Sequence, residues 1–550
     1  MNTAWRARAQ EIARSGDVIG GVVPVLLALA LWTRFDLHAW VNRDSFLYLY
    51  GGERVLAGQP PYVSMMDPKG PISSILAAGG IEVARIFGRN DIQVVRIEFL
   101  ALAVAGALGV YLLVRRLTGA WLPAMLGAIV FTTFRSFAFN AVAGPEGHLP
   151  GDVFLIFTLW LTLSRRWYLA GIAGALAFLT WQPLFIFPIA VLVCAIAWSP
   201  DNRGRAALTA LGGLATPTIL LVIYYGWGGH LRALFNGLVL YPVTGVVRHP
   251  STLTYRIVFF FRDTHNIYGP VAYLLYLGLI VLLGAAVWTV VTAPRRGAAL
   301  LDPLVLLMAG TLLVQLLYIA YDYIGYPHSF TVLPYAVAGL GWGLAKLLAP
   351  AVWGQQQWFR PALAALVAVL VVFSFVSFSR PAGRRATVAV EQAGACAIQR
   401  SLVPGTPLWT IDNPGPLVLL HRRQPDNYPY VGGGLDVWKV RHTRGGFRGW
   451  MHQIQASHTS IVVFMSWLWG KYQKPIRHWL YVHGYRRGTI GIWKVYVNKA
   501  ARARMAAEQI AFTHGKRTWP STTTGKRYTV TNCPVPSTST ARRGFAPNGS

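Results

Sequence analysis

This chain of 550 residues is 54% hydrophobic and only 13% charged, and its mean hydropathy of +0.42 is too high for a soluble domain of that size, so it reads as a polytopic membrane protein. The formal net charge of +30 would suit a nucleic-acid binder. Lys and Arg instead fall between apolar runs and in the last third, without zinc-finger, helix-turn-helix or RNP spacing, which excludes nucleic acid as the partner.

A helix needs roughly 20 apolar residues to cross the hydrocarbon core, and such runs recur from Val18 to Phe378 with basic doublets at alternate ends. The positive-inside rule turns that alternation into about eleven transmembrane helices with a cytoplasmic N-terminus and an extracytoplasmic C-terminal domain. The first run, Val18 to Trp32, is followed by Arg34-Phe35-Asp36-Leu37 rather than a small-residue cleavage site, so it reads as a retained span. Spans near Ile92–Val114, Leu122–Phe139, Val153–Ser164 and a pair within Tyr168–Ala197, broken at Trp181-Gln182-Pro183, come next. Later spans fall near Leu208–Tyr225, Val271–Val291, before Tyr321, before Lys346 and at Ala362–Phe378.

Between the first two spans lies a long outer loop, Thr33 to Asp91, containing RDSFLYLYGGERVLAGQPPYVSMMDPKGP. Asp44 stands at its membrane edge, suited either to a general base or to the N-cap of a helix over Ser45–Leu56. The apolar stretch Ile72–Phe87 carries Glu82 and Arg85 and reads as an interfacial helix, with a full span as the alternative. Two more outer segments matter: GPEGHLPGD, Gly144 to Asp152, and YDYIGYPHSF, Tyr321 to Phe330. From Arg380 the composition shifts to turn signals at Pro404-Gly405, Asp412-Asn413-Pro414-Gly415 and Gly432-Gly433-Gly434, with β-rich runs Leu408–Ile411, Ile461–Met465 and Thr489–Val497 and a helical pattern over Val388–Leu402. The predicted domains are therefore a transmembrane unit over 1–380, a small α/β domain over 381–500 and a basic, disordered tail over 501–550.

The order Asp44, Tyr48, Gly58, Pro61-Tyr62 and Asp67-Pro68-Lys69-Gly70-Pro71 resembles the first outer loop of the GT-C superfamily of glycosyltransferases, in particular its protein O-mannosyltransferase, aminoarabinose-transferase and RgtA/B/C/D-like branch. The resemblance implies a GT-C-like fold and transfer of a monosaccharide, a hexose or pentose, from a polyprenyl-phosphate carrier to a hydroxyl of a glycan, lipid or protein acceptor. It makes Asp44 the base and Lys69 a ligand of the donor phosphate. A second acidic residue is expected in the second outer loop, where Glu146 and Asp152 both qualify. In the late outer segment, Tyr326 and His328 match an element near the donor phosphate, and Arg256 and Arg262 are further phosphate candidates.

Tyr48, Tyr62, Asp67, His148 and Gln182 complete the set as substrate-binding candidates, although the Trp181-Gln182-Pro183 break lacks the lysine that relatives often carry there. No cofactor is implied outright. Some GT-C members need a divalent cation, for which Asp44 with Glu146 could serve, while a lipid-monophosphate donor argues for metal independence. A lipid-linked sugar flippase and a non-catalytic envelope assembly protein are the competing classes, but the acidic residues gather on the outer face and no inverted repeat is visible.

Overall fold

The computed structural model describes residues 3–245, 252–348, 387–464 and 470–514, with part of 365–378. Among these residues six helices are long and apolar enough to span a membrane, and a seventh candidate is the pair α5 (Trp121–Thr132) and α6 (Arg135–Ala143), bent by 64°. The six include α1 (Thr3–Trp32, with its apolar part at Ser15–Trp32), α4 (Asp91–Thr118) and α10 (Arg203–Trp227). The others are Val271–Thr292, Leu304–Asp322 and Tyr326–Leu347. Shorter apolar helices, α7 (Leu149–Leu163), α8 (Trp167–Thr180) and the Gln182–Ala197 segment with α9 (Ile186–Ala197), fill the middle. Most of the expected span at Ala362–Phe378 lies outside the described residues, as does the tail beyond 514.

Local chemistry sets these boundaries. Asn90 caps α4 by accepting from Gln93 N at 3.1 Å, and Gly119 closes it in the left-handed region (φ 72°). Arg115 in its last turn pairs with Asp17 of α1 at 2.6 Å. At the other interruption, α8 stops at Thr180 because Pro183 cannot continue its hydrogen-bond ladder, and the chain restarts as a 3-10 turn over Gln182–Phe185. The stretch between α10 and Val271 contains a helix, Leu253–Tyr268, capped by the Thr252 side chain.

Two helices of the segment between α1 and α4, α2 (Arg43–Leu56) and α3 (Ile72–Ile86), lie packed together, and Ser45 through Arg54 of α2 are buried. The covering element is the C-terminal domain. Its five-stranded sheet has the order β1-β2-β4-β3-β5, with β1 (Leu408–Ile411) parallel to β2 (Ile461–Phe464) and the other pairs antiparallel. Helix Val388–Ser401 precedes β1. The run Thr489–Val497 is part of a hairpin, β3 (Arg486–Ile490) and β4 (Trp493–Val497), turning at Gly491 with φ 56°. Helix Lys499–Ala507 and β5 (Thr513–His514) continue the domain past residue 500, because Ala501 and Met505 are buried in the domain core.

This domain grips the first outer loop along its length. Val388 N donates to His38 O at 3.0 Å and Val41 N to the buried Glu391 carboxylate at 2.8 Å. Gln424 N donates to Tyr50 Oη at 3.1 Å, His421 pairs with Glu53 at 2.8 Å, and Met66 N donates to Asn427 O at 2.7 Å.

Candidate active site

Asp44 does not cap its helix. Asn42 does, accepting the Asp44 N–H at 2.7 Å, which leaves the Asp44 carboxylate in the first turn, one-third exposed, where it also suits the helix dipole. One turn later on the same face comes Tyr48, fully buried, with Lys69 Nζ 5.7 Å from its ring centre. Asp44, Asp67 and Glu146 all lie close enough to act on the Tyr48 hydroxyl electrostatically.

The loop end that carries Lys69 is fixed from several sides. Asp67 is fully buried and accepts the Lys69 N–H at 2.9 Å; Tyr62, in the left-handed region at φ 68°, donates its hydroxyl to Lys69 O at 2.5 Å. Gly70 N donates to Thr180 O at 2.9 Å, and a Cβ at Gly70 would overlap the Leu179 carbonyl, so only glycine allows the loop to dock on the end of α8. Burial pushes the Asp67 carboxyl up to about 6, with the Lys69 N–H and ammonium pulling the other way.

Lys69 Nζ reaches the buried Glu146 carboxylate at 3.5 Å. Glu146 also accepts His148 N at 2.6 Å, Leu149 N at 3.1 Å and, on its other oxygen, His148 Nδ1 at 2.9 Å. Burial opposes its ionisation, but these donors and the Lys69 charge prevail and hold the carboxyl below the usual range. Burial and Lys69 push the His148 imidazole down, against the pull of the Glu146 carboxylate. With Nδ1 on Glu146, the buried Nε2 is left without a partner among the described residues.

Trp181, buried at the break after α8, packs against both histidines, with ring centres 4.6 Å from His148 and 5.0 Å from His328. The two imidazoles are 5.4 Å apart, and Nδ1 of the buried His328 also has no hydrogen-bond partner. Tyr326 lies within electrostatic reach of Glu146 and Asp44. Thus Asp44, Tyr48, Tyr62, Asp67, Lys69, Glu146, His148, Tyr326 and His328 gather in one region.

The remaining sequence candidates stand further out. Asp152 is buried at the start of α7, and neither carboxylate oxygen has a hydrogen-bond partner among the described residues; it lies within electrostatic reach of Glu146 and Tyr268 and makes no ion pair with Lys69. Gln182 begins the 3-10 turn beside Trp181, its Nε2 buried without a partner. Arg256 hydrogen-bonds the Tyr321 carbonyl, and Arg262 lies on the exposed side of the same helix, 5.5 Å over the Phe259 ring. Among the described residues no three His, Cys, Asp or Glu side chains converge in a metal-holding arrangement.

Three participants were not legible. Arg43, beside Asp44, donates from Nε to Asp44 Oδ1 at 3.1 Å and from Nη1 to Asp412 Oδ2 at 2.8 Å, and its guanidinium stacks 5.1 Å from the Tyr430 ring centre. Asp412 and Tyr430 come from the C-terminal domain. A non-glycine residue holding φ 76° at Asp412, within a run already read as a turn, is the one local signal that was available.

No family model matches the chain. A stretch of 151 residues, 27% of this chain, is 29% identical to the Dolichol phosphate-mannose mannosyltransferase of Haloferax volcanii and covers 32% of that protein, about a third of its length. ArnT from Cupriavidus metallidurans bound to undecaprenyl phosphate superposes with a TM-score of 0.56 at 14% identity, covering 86% of this chain and 97% of that one. Archaeal oligosaccharyltransferase AglB from Archaeoglobus fulgidus, in complex with an inhibitory peptide and a dolichol-phosphate, gives 0.52 at 13% identity over 82% of this chain and 69% of the other. The chain is accordingly a polytopic integral membrane protein with a small C-terminal sheet domain. Its fold is the GT-C fold of membrane glycosyltransferases.

Proposed function

We propose that this protein is an inverting glycosyltransferase that moves a hexose or pentose from a polyprenyl-phosphate carrier to an acceptor hydroxyl on the extracytoplasmic face. The observation that carries the reading is the pairing of a partly open carboxylate, Asp44, with a nearly buried ammonium, Lys69, held by Glu146 at 3.5 Å. One can take a proton while the other receives a departing phosphate.

In the reaction, Asp44 accepts the proton of the acceptor hydroxyl as its oxygen attacks the anomeric carbon. The bond from that carbon to the phosphate oxygen breaks, and the electron pair leaves with the polyprenyl phosphate. Lys69 meets the departing anion, a charge-assisted contact with a net value of about 1.5–3 kcal/mol. The buried Nε2 of His148, without a partner among the described residues, is free to hydrogen-bond a sugar hydroxyl. Glu146 serves as the second acidic residue through Lys69. Asp152 supports the start of α7.

The names of the compared proteins favour the same donor class: the Haloferax relative is a dolichol phosphate-mannose enzyme, and the two superposed proteins were captured with dolichol-phosphate and undecaprenyl phosphate. Among the described residues the six long helices and the bent pair supply six to seven candidate spans, and three shorter apolar helices lie where further spans are expected from sequence. The basic doublets between the apolar runs favour a cytoplasmic N-terminus and a C-terminal domain outside. Purified Asp44→Asn protein tests the reading. Consumption of lipid-linked sugar should fall by two or more orders of magnitude, about 10²–10⁴-fold; consumption at the wild-type rate refutes the catalytic assignment, and carrier movement across vesicles without transfer would favour a flippase.

A further inference from the structure

The geometry points to Asp412 of the C-terminal domain as a positioning residue for transfer, acting through Arg43 to fix the Asp44 carboxylate in its working orientation. This inference rests on the transferase reading above.

Three side chains form a chain of contacts across the domain boundary. Asp412 is fully buried, Arg43 is about one-quarter exposed and Asp44 about one-third exposed, so the contacts run from the interior of the outer domain to the open edge of the site. Arg43 uses two different nitrogens of its fork, Nη1 on Asp412 at 2.8 Å and Nε on Asp44 at 3.1 Å. Its third nitrogen lies 3.4 Å from Tyr430 Oη, and the Tyr430 ring covers the guanidinium face. A planar group held at three corners and on one face has little rotational freedom, and the carboxylate it donates to inherits that order.

The outer domain gives Asp412 a fixed place. It follows β1 at the carboxyl end of the strand and turns there at φ 76°, a conformation that Asp and Asn tolerate and most side chains resist. Asn413 Oδ1 accepts Gly415 N at 3.0 Å and closes the turn. Arg43 and Asp44 in turn sit on α2, whose next residues are buried under helix Gly415–Leu419 of the same turn. Both ends of the contact chain are therefore anchored to one packed unit.

The test uses the full-length protein in lipid nanodiscs with a polyprenyl-phosphate sugar donor. Asp412→Asn preserves shape and turn but removes the charge that holds Nη1. We expect kcat to fall roughly 10- to 100-fold, the scale of a misplaced catalytic group, with the donor KM within about twofold. Arg43→Gln should lose a similar amount, and the double variant should be no worse than the weaker single variant, since both break one connection. Losses that multiply, a loss confined to KM, or normal kcat in Asp412→Asn overturn the inference. If Asp412→Asn does not fold, Arg43→Lys carries the test: it keeps a cation but cannot fork to two carboxylates, so wild-type kcat in that variant is equally fatal. Failure of the underlying reading is separate, because it requires Asp44→Asn itself to stay active.

Discussion

Asp67→Asn should stabilise the protein, and more so as the medium becomes alkaline. Asp67 is fully buried, and its carboxyl is pushed from an ordinary 3.8 to about 6 by that burial. Because the folded state holds its proton more tightly than the unfolded chain, the folded state is favoured at acid pH and loses ground as pH rises through about 6. Integrating the linkage between 3.8 and 6 gives a penalty of about 1 kcal/mol at pH 4.5 and about 3 kcal/mol at pH 7.5, so ionisation costs about 2 kcal/mol across that window. Asparagine retains an oxygen for the Lys69 N–H and has no charge to bury. Thermal melts of both proteins in detergent, followed by aggregation on a sizing column, should show Tm values that separate by a few degrees from acid to neutral pH, with the variant higher. A gap that is independent of pH, or one that widens toward acid, refutes the argument.

Two glycines next to Lys69 should behave differently. Gly70→Ala forces a Cβ into the Leu179 backbone and should cost about 1–3 kcal/mol together with most turnover, whereas at Gly147 the new Cβ meets side chains, first the hydroxyl of the buried Tyr48 and then the end of Lys69, 2.8 Å from Nζ. Gly147→Ala should therefore lower kcat by displacing Tyr48 and Lys69, with a Tm loss smaller than that of Gly70→Ala because side chains can give where backbone cannot, and equal Tm losses in the two variants would contradict the geometry. Arg96→Met removes a buried guanidinium that donates to the carbonyls of Ala143 (3.0 Å), Trp40 (3.1 Å) and Leu37. Orphaning these acceptors should cost roughly 3–5 kcal/mol and open the segment before Asp44 to limited proteolysis, an effect that intact digestion patterns would exclude.

Much of the membrane unit could be read from sequence because its signal is local. Apolar length and basic doublets mark the spans, and Pro183 marks the break. Strand Leu408–Ile411 and the helix beginning at Val388 were equally plain, being short β-rich and helical runs between turn residues. Asn42 was missed as the cap because Asp44 is an equally good capping type two residues on. The hairpin in 486–497 was read as one run because a lone glycine at 491 is a weak turn signal.

The site divides along the same line. Asp44, Lys69 and Glu146 lie in outer segments with unusual charge for their surroundings. Arg43 looked like a topology charge, and Asp412 like a turn residue. Their pairing joins positions 369 residues apart, a relation that no local spacing encodes.

That separation also bears on how the molecule is made. Ribosomes add about 5–20 residues per second, so the first outer loop leaves the translocon roughly 20–70 s before Asp412 exists to meet it. Until then α2 has no cover for the side it will bury beneath the outer domain, and the Arg43 fork has only its neighbour. Completion of the centre is thus a late event in biogenesis, and a nascent chain stalled before β1 carries every membrane helix described here yet presents an unfinished carboxylate at its surface.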